Sequence, residues 1–238
     1  MTIEPQTISK LTTVSTATIT TVLVRKGLRN VWMRGARPFK PGQPRLVGPA
    51  FTLRFVPARE DLATPESWSS PRSSRVAIED MPSGCIAVAD AMGVTEAGIC
   101  GDILCARMHQ RGVVALVTDG VVRDLAGVRA SGLPVWSQGA AAPPSIVGLH
   151  FVDWQQPIAC GGVAVFPGDM IVADEDGAVV IPQTMAAEVA ETGSNQELME
   201  SWIMAEVQNG AALPGLYPPN DTNKERFEAF RRQQRGAT

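Results

Sequence analysis

Between residues 76 and 136 the chain repeats one pattern: a short, wholly apolar run, a glycine-containing turn, then a polar stretch. The runs are Cys85-Ile86-Ala87-Val88-Ala89, Val113-Val114-Ala115-Leu116-Val117-Thr118 and Leu133-Pro134-Val135-Trp136. Each is short enough for a buried strand, and none alternates as a strand with one wet face would. Residues 101–111, stopped by Gly112, read as a helix between the first two. Strand, helix and strand at this spacing imply parallel pairing with helices packed on the sheet, an α/β fold.

The flanks differ from this centre. Residues 7–26 read as a helix entry and a first helix, residues 46–56 as a strand broken early by Gly48-Pro49, and residues 76–81 as a helical turn. Residues 57–74 form a long polar stretch, in which the charged cluster Arg59, Glu60 and Asp61 is expected to shape the mouth of a site. From 145 to 182, runs at 147–152, 157–158, 163–166, 170–172 and 178–181 predict a second, more antiparallel sheet or a barrel-like layer. Residues 184–209 are the strongest helix, closed by Gly210. Residues 224–235 read as a surface arm, helical in part.

Scarce residues narrow the chemistry. The lysines are Lys10, Lys26, Lys40 and Lys224, so residues 41–223 hold none and a Schiff-base mechanism has no nucleophile there. A P-loop is absent, and His109 and His150 share no metal-ligand spacing. His109, inside the expected 101–111 helix, reads as a structural or surface histidine. A net charge of −3 gives no electrostatic case for nucleic acid. No apolar run suits a membrane span and no secretory signal opens the chain. Cys85, Cys100, Cys105 and Cys160 form no CxxC pair, so buried thiols in a reduced, cytoplasmic protein are expected. Catalysis, if present, falls to carboxylates, arginines and backbone amides.

Two segments carry such groups. Gly98-Ile99-Cys100-Gly101-Asp102-Ile103-Leu104 sets two glycines before a helix, whose first amides and positive dipole end can receive a carboxylate. The alternative is a tight turn at Gly101 with Asp102 as a cap. Thr118-Asp119-Gly120-Val121-Val122-Arg123-Asp124 follows a buried strand, where α/β sheets place their sites. Arg123 can fork onto a carboxylate and Asp124 is a hard ligand for Mg²⁺ or Mn²⁺. A plain surface Arg–Asp pair is the alternative. No GxGxxG loop follows a strand in the manner of a nucleotide-binding methyltransferase.

Together, Gly98–Leu104 and Gly112–Asp124 resemble the RraA-like family, which includes 4-hydroxy-4-methyl-2-oxoglutarate/4-carboxy-4-hydroxy-2-oxoadipate aldolases and regulators of RNase E. The resemblance implies an α/β fold built as a β/β/α layered sandwich with N- and C-terminal helical extensions. It implies one domain over 1–238, with a core at 46–182, an N-terminal extension at 1–45 and a C-terminal helix and arm at 183–238. It further implies a homotrimer or homohexamer with sites at subunit boundaries. Asp124 would ligate Mg²⁺ or Mn²⁺, and Asp102 would stand in the metal's water shell. Gly101, Asp102, Ile103, Leu104 and Arg123 would bind a 2-keto acid, with Arg123 and Asp102 catalytic.

The expected activity is metal-dependent retro-aldol cleavage of a 4-hydroxy-2-keto acid to pyruvate, with oxaloacetate decarboxylation at the same site. The alternative is a non-catalytic regulator of the RNase E inhibitor type. Glu197 or Glu200 of a neighbouring subunit are candidate bases. One position departs from the pattern: Gly127 stands where the aldolases usually carry an acidic residue.

Overall fold

A computed structural model describes residues 4–236, with side chains to Gln233; the expected domain ends at 1–3 and 237–238 lie outside the described residues. In chain order the elements are α1 (Pro5–Leu11), α2 (Thr16–Arg25), β1 (Arg37–Pro38), β2 (Leu46–Pro57), α3 (Ser74–Asp80), β3 (Ile86–Asp90), α4 (Asp102–Gln110), β4 (Ala115–Thr118), α5 (Leu125–Ala130), β5 (Val135–Ser137), β6 (Leu149–Trp154), β7 (Met170–Asp174), β8 (Gly177–Ile181), α6 (Ala186–Gln208) and α7 (Asp221–Gly236).

The strands lie in the order β1-β5-β4-β3-β2-β7-β8, with β6 also on β2. Strands β2 to β5 pair in parallel, as the central pattern predicts. Period-two alternation sorts their side chains between two cores. Ile86, Val88, Ala115, Val117 and Trp136 face one core, and Ala87, Ala89, Leu116 and Val135 face the other. The first core is completed by α1, α2 and α6, the second by α3, α4 and α5. A strand sandwiched this way carries no polar alternation, which is why the runs read as unbroken apolar blocks.

Strand β2 corrects the expected break at Gly48-Pro49: it runs unbroken for 12 residues. Its first part, Leu46 to Pro49, pairs antiparallel with β7, its middle pairs with β3, and its end pairs with β6. Gly48 allows this close passage, because a Cβ there would stand 2.7 Å from the Gly84 carbonyl oxygen. The antiparallel strands therefore join the parallel ones through β2 and curl the sheet into a barrel-like layer. The runs at 157–158 and 163–166 contribute only the bridge between Ile158 and Val165.

The helical ends differ from expectation in two places. Residues 7–26 form two helices, because Ser15 caps α2 by accepting from Thr18 N–H. Thr12 and Thr13 turn their hydroxyls back onto the Ser9 and Lys10 carbonyls, which closes α1. The arm at 224–235 belongs to α7, which docks on α6 through Phe227 against Trp202 and Ile203, with Leu216 of the connecting segment in the same cluster.

Two contacts join these layers with little tolerance. Asp174, buried at the end of β7, accepts from Thr16 N–H at 2.9 Å, Thr16 Oγ1 at 2.7 Å and Arg45 Nε at 3.2 Å. It ties the positive end of α2 to the sheet. At Gly127, in the first turn of α5, a Cβ would stand 2.6 Å from Asp102 Cβ and overlap its carboxylate. The acidic residue that the aldolases usually carry at this position would clash with Asp102 while α5 lies this close to the start of α4.

Asp174→Ala is expected to lower the unfolding free energy by about 2–3 kcal/mol, since it strands a cationic partner and the α2 amides; urea titration checks this. Gly127→Ala is expected to cost about 1–3 kcal/mol by overpacking. The same titration reads it, and an unchanged midpoint would show that α5 is free to move away.

Candidate active site

The loops that follow β3 and β4 are zipped together by main chain. Ile99 N–H donates to the Val121 carbonyl at 2.9 Å, and Arg123 N–H to the Cys100 carbonyl at 2.9 Å. A third segment completes the floor: Gly98 N–H donates to the Pro143 carbonyl, and Val122 N–H to the Gly139 carbonyl. Residues 98–100, 121–123 and 139–143 thus extend the sheet beyond its strand ends, so backbone geometry sets where the polar side chains emerge.

The zipper needs glycine. A Cβ at Gly98 would lie 2.8 Å from Arg123 Cβ, and one at Gly101 would overlap Asp124 Oδ2. Asp124 itself adopts φ 56° and ψ 50°, a left-handed conformation uncommon outside glycine, asparagine and aspartate. That turn carries the chain from the zipper into α5. Such backbone strain concentrates at functional sites.

These features gather the expected residues in one place. Gly101, Asp102, Ile103, Leu104, Arg123 and Asp124 all line a single cavity of about 320 Å³. Gly101 is the N-cap of α4 and offers no side chain to the first amides. Of the three amides expected to receive a carboxylate, that of Ile103 donates to Asp102 Oδ1 at 2.7 Å. An incoming carboxylate must displace that contact or use the amides of residues 102 and 104. Arg123 Nε donates to Asp124 Oδ2 at 3.2 Å, and both side chains stay partly open to solvent.

The same cavity is lined by residues that sequence reading passed over: Trp68, Ser74, Arg75, Pro144 and Ser145. Trp68 sits in a 3₁₀ turn, Pro65–Ser69, within the long polar stretch, and Arg75 lies in the first turn of α3. The Arg75 guanidinium stands 5.1 Å from the Trp68 ring centroid. The length of the 57–74 stretch was a usable signal, but its charged cluster pointed to the wrong end. Arg59 forks onto Asp61 at 2.7 and 3.0 Å, and Arg59, Glu60 and Asp61 are exposed and absent from the cavity wall.

Several other residues singled out in the sequence lie outside this cavity in the single chain. Glu197 accepts from Ser15 N–H at 2.8 Å, holding the start of α2. Glu200 accepts from Gln196 and lines a groove between α2, α6 and α7. His109 is exposed on α4 and packs against Gly132. Asp119 is a brace: buried after β4, it accepts from the amides of Ala91, Gly93 and Gly161. Burial pushes its carboxyl above the usual range and Asp90 adds to this, while the three amides pull it back. All four cysteines are free and buried, with Cys100 and Cys105 sulfurs 3.8 Å apart.

Among the described residues no group of three or more His, Cys, Asp or Glu side chains converges as a metal cage. Asp124 and Asp102 nevertheless offer two oxygen donors on one solvent-open wall. This set fits a hard divalent ion that keeps most of its water, such as Mg²⁺ or Mn²⁺, and does not fit a structural zinc. No helix among the described residues is long and apolar enough to cross a membrane.

The chain is similar to known proteins over most of its length. The profile of the RraA-like family, described as Aldolase/RraA, matches residues 13–180. Protein DlpA of Legionella pneumophila is 26% identical over 88% of this chain, which spans only 33% of that protein. A Halalkalibacterium halodurans protein provisionally named 4-hydroxy-4-methyl-2-oxoglutarate aldolase is 30% identical over 64% of this chain and 67% of its own. The crystal structure of Streptomyces coelicolor RraAS2, described as an unusual member of the RNase ES inhibitor RraA family, superposes with a TM-score of 0.76. It is 32% identical and covers 85% of this chain and 97% of its own. With the profile spanning most of the chain and both zipped turns inside it, the protein belongs to the RraA-like family.

Proposed function

We propose that this chain is a divalent-metal-dependent lyase that cleaves a 4-hydroxy-2-keto acid to pyruvate, and that the same site decarboxylates oxaloacetate. The observation that carries the reading is the convergence of Asp102, Arg123, Asp124 and the first amides of α4 on one cavity. The aldolase name of the Halalkalibacterium relative supports it.

The residues divide the work by their chemistry. The amides at the α4 N-terminus receive the C1 carboxylate, where the helix dipole favours negative charge. Arg123 sits beside the keto oxygen and offsets the charge that develops there. Asp102 orients a water that takes the C4 hydroxyl proton. The C3–C4 bond then breaks, its electron pair forms the pyruvate enolate, and a proton returned to C3 completes pyruvate. Asp124, with Asp102 beyond it, would hold Mg²⁺ or Mn²⁺, which supplies Lewis-acid polarisation of the keto group when bound. Oxaloacetate loses CO₂ to the same enolate, so one arrangement serves both substrates.

A homotrimer or homohexamer that builds the site at a subunit boundary is part of this proposal. Its support is exposed apolar surface: Ile103, on the cavity wall, is 79% exposed, and Val147, two residues after the lining Ser145, is 62% exposed. The second reading, a regulatory binding protein, draws on the likeness to RraAS2. Binding of an RNase with no pyruvate release from any hydroxy-keto acid or from oxaloacetate would select it.

Asp124→Asn keeps the shape and tolerates the left-handed backbone, yet removes the charge. It is expected to lower metal-dependent pyruvate release by at least about a hundredfold with an unchanged melting temperature. Chelation of the wild-type protein is expected to abolish release, and added Mn²⁺ or Mg²⁺ to restore it. Full activity after metal removal, measured by a coupled pyruvate assay, overturns the proposal.

A further inference from the structure

We infer that Cys100 and Cys105 are a dithiol that closes reversibly to a disulfide beside this cavity, and that the closed form is the inactive one. The second half rests on the lyase reading of the site; the first does not.

The two residues hold defined places about the start of α4. With Gly101 as the N-cap, Cys100 stands one residue before it and Cys105 is the fourth residue of the helix. Side chains at those two positions commonly pack together and fix the angle at which the chain enters a helix. Here the packed atoms are sulfurs, 3.8 Å apart. A disulfide sets them about 2.05 Å apart, so closure asks for less than about 2 Å of movement. Two alkyl groups would hold the same angle, but only thiols can be joined.

Access to the pair is unequal. Cys105 is 0% exposed, whereas Cys100 is 8% exposed and lines the cavity. A small oxidant reaches Cys100 through the cavity, and Cys105 is the resolving thiol behind it. With a hydroperoxide, the Cys100 sulfur takes the distal oxygen as the O–O bond breaks. The leaving alkoxide takes the thiol proton, and Cys100 becomes a sulfenic acid. The Cys105 sulfur then attacks the Cys100 sulfur, and the hydroxyl leaves with the Cys105 proton as water. Two electrons pass from the sulfurs to the peroxide, giving a disulfide, an alcohol and water. The hydrogen bond with Cys105 and burial both push the Cys100 thiol up, so the pair answers to sustained oxidant rather than to a trace. Cys85 and Cys160 are absent from the cavity wall, and the Cys160 thiol donates to the Ala89 carbonyl at 3.5 Å.

The pair bears on the site through its backbone. The Cys100 carbonyl accepts from Arg123 N–H at 2.9 Å, and Cys105 N–H donates to the Gly101 carbonyl at 3.1 Å. The amides of residues 102–104 lie in the chain between the two cysteines. Joining the sulfurs draws Cys100 toward α4 and against its hold on Arg123, which moves those amides and Arg123 out of register with a bound ligand.

The full-length protein is held in hydrogen peroxide, denatured, labelled with iodoacetamide and mapped by mass spectrometry. Labelled thiols are expected to fall from four to two, with Cys100 and Cys105 joined, and dithiothreitol to restore all four. Cys105→Ala is expected to form no disulfide and Cys160→Ala to form it as wild type does; a thermal melt of each shows that the fold is kept. Four labelled thiols after treatment, oxidation of Cys100 that dithiothreitol does not reverse, or a disulfide through another pair overturns the inference. Pyruvate release by the disulfide form is expected to fall at least about tenfold and to recover on reduction. A disulfide with undiminished release overturns the second half alone. A disulfide in a protein that releases no pyruvate in either form supports the dithiol assignment and overturns the lyase reading, and the second half with it.

Discussion

The site depends on a main-chain contact that leaves no space for side chains. Residues 98–101 lie against the turn at 121–124, and Gly127 lies against Asp102, at distances that a single methyl group would violate. Glycine at these positions lets two loops from neighbouring strands hydrogen-bond as though the sheet continued. The left-handed turn at Asp124 follows from the same contact, because the chain must leave the zipper at once to begin α5. The cavity-lining carboxylates Asp102 and Asp124 are therefore positioned by backbone rather than by long, mobile side-chain bridges.

This arrangement separates stability from chemistry. The parallel strands are buried on both faces and their interiors hold almost no charge. Charged groups collect where the strands end, because only there can water and amides solvate them. Asp119 and Asp124 show the two outcomes of that rule. Asp119 is buried, its carboxyl pushed up by burial and held by three amides, and it works as a brace. Asp124, five residues on, stays open to solvent and to a ligand.

The missing central lysines gain meaning from the same geometry. Without an amine to form a Schiff base, the proposed lyase chemistry would call on arginine, helix-end amides and an ion held by carboxylates to meet charge on a keto oxygen. The arginine, the helix-end amides and the two carboxylates lie along one cavity wall. The glycine at 127, a departure when read against related aldolases, is explained by packing: α5 approaches Asp102 too closely for any side chain.

Much of this was legible in the chain itself. Unbroken apolar runs forced a sheet covered on both faces, and glycines before Asp102 and polar residues after Thr118 marked where its strands end. Local physics suffices for such features, since burial and turn geometry act over a few residues. Partners distant in sequence were not legible. The switching of β2 among three strands, the split of residues 7–26 at the Ser15 cap, the tie of Glu197 to Ser15, and the meeting of Trp68 and Arg75 with the 98–124 turns are all set by packing. The sequence by itself determined the α/β layering and which residues could carry the chemistry. Only the tertiary structure decided which of them share a cavity, because that depends on how closely two backbones can approach.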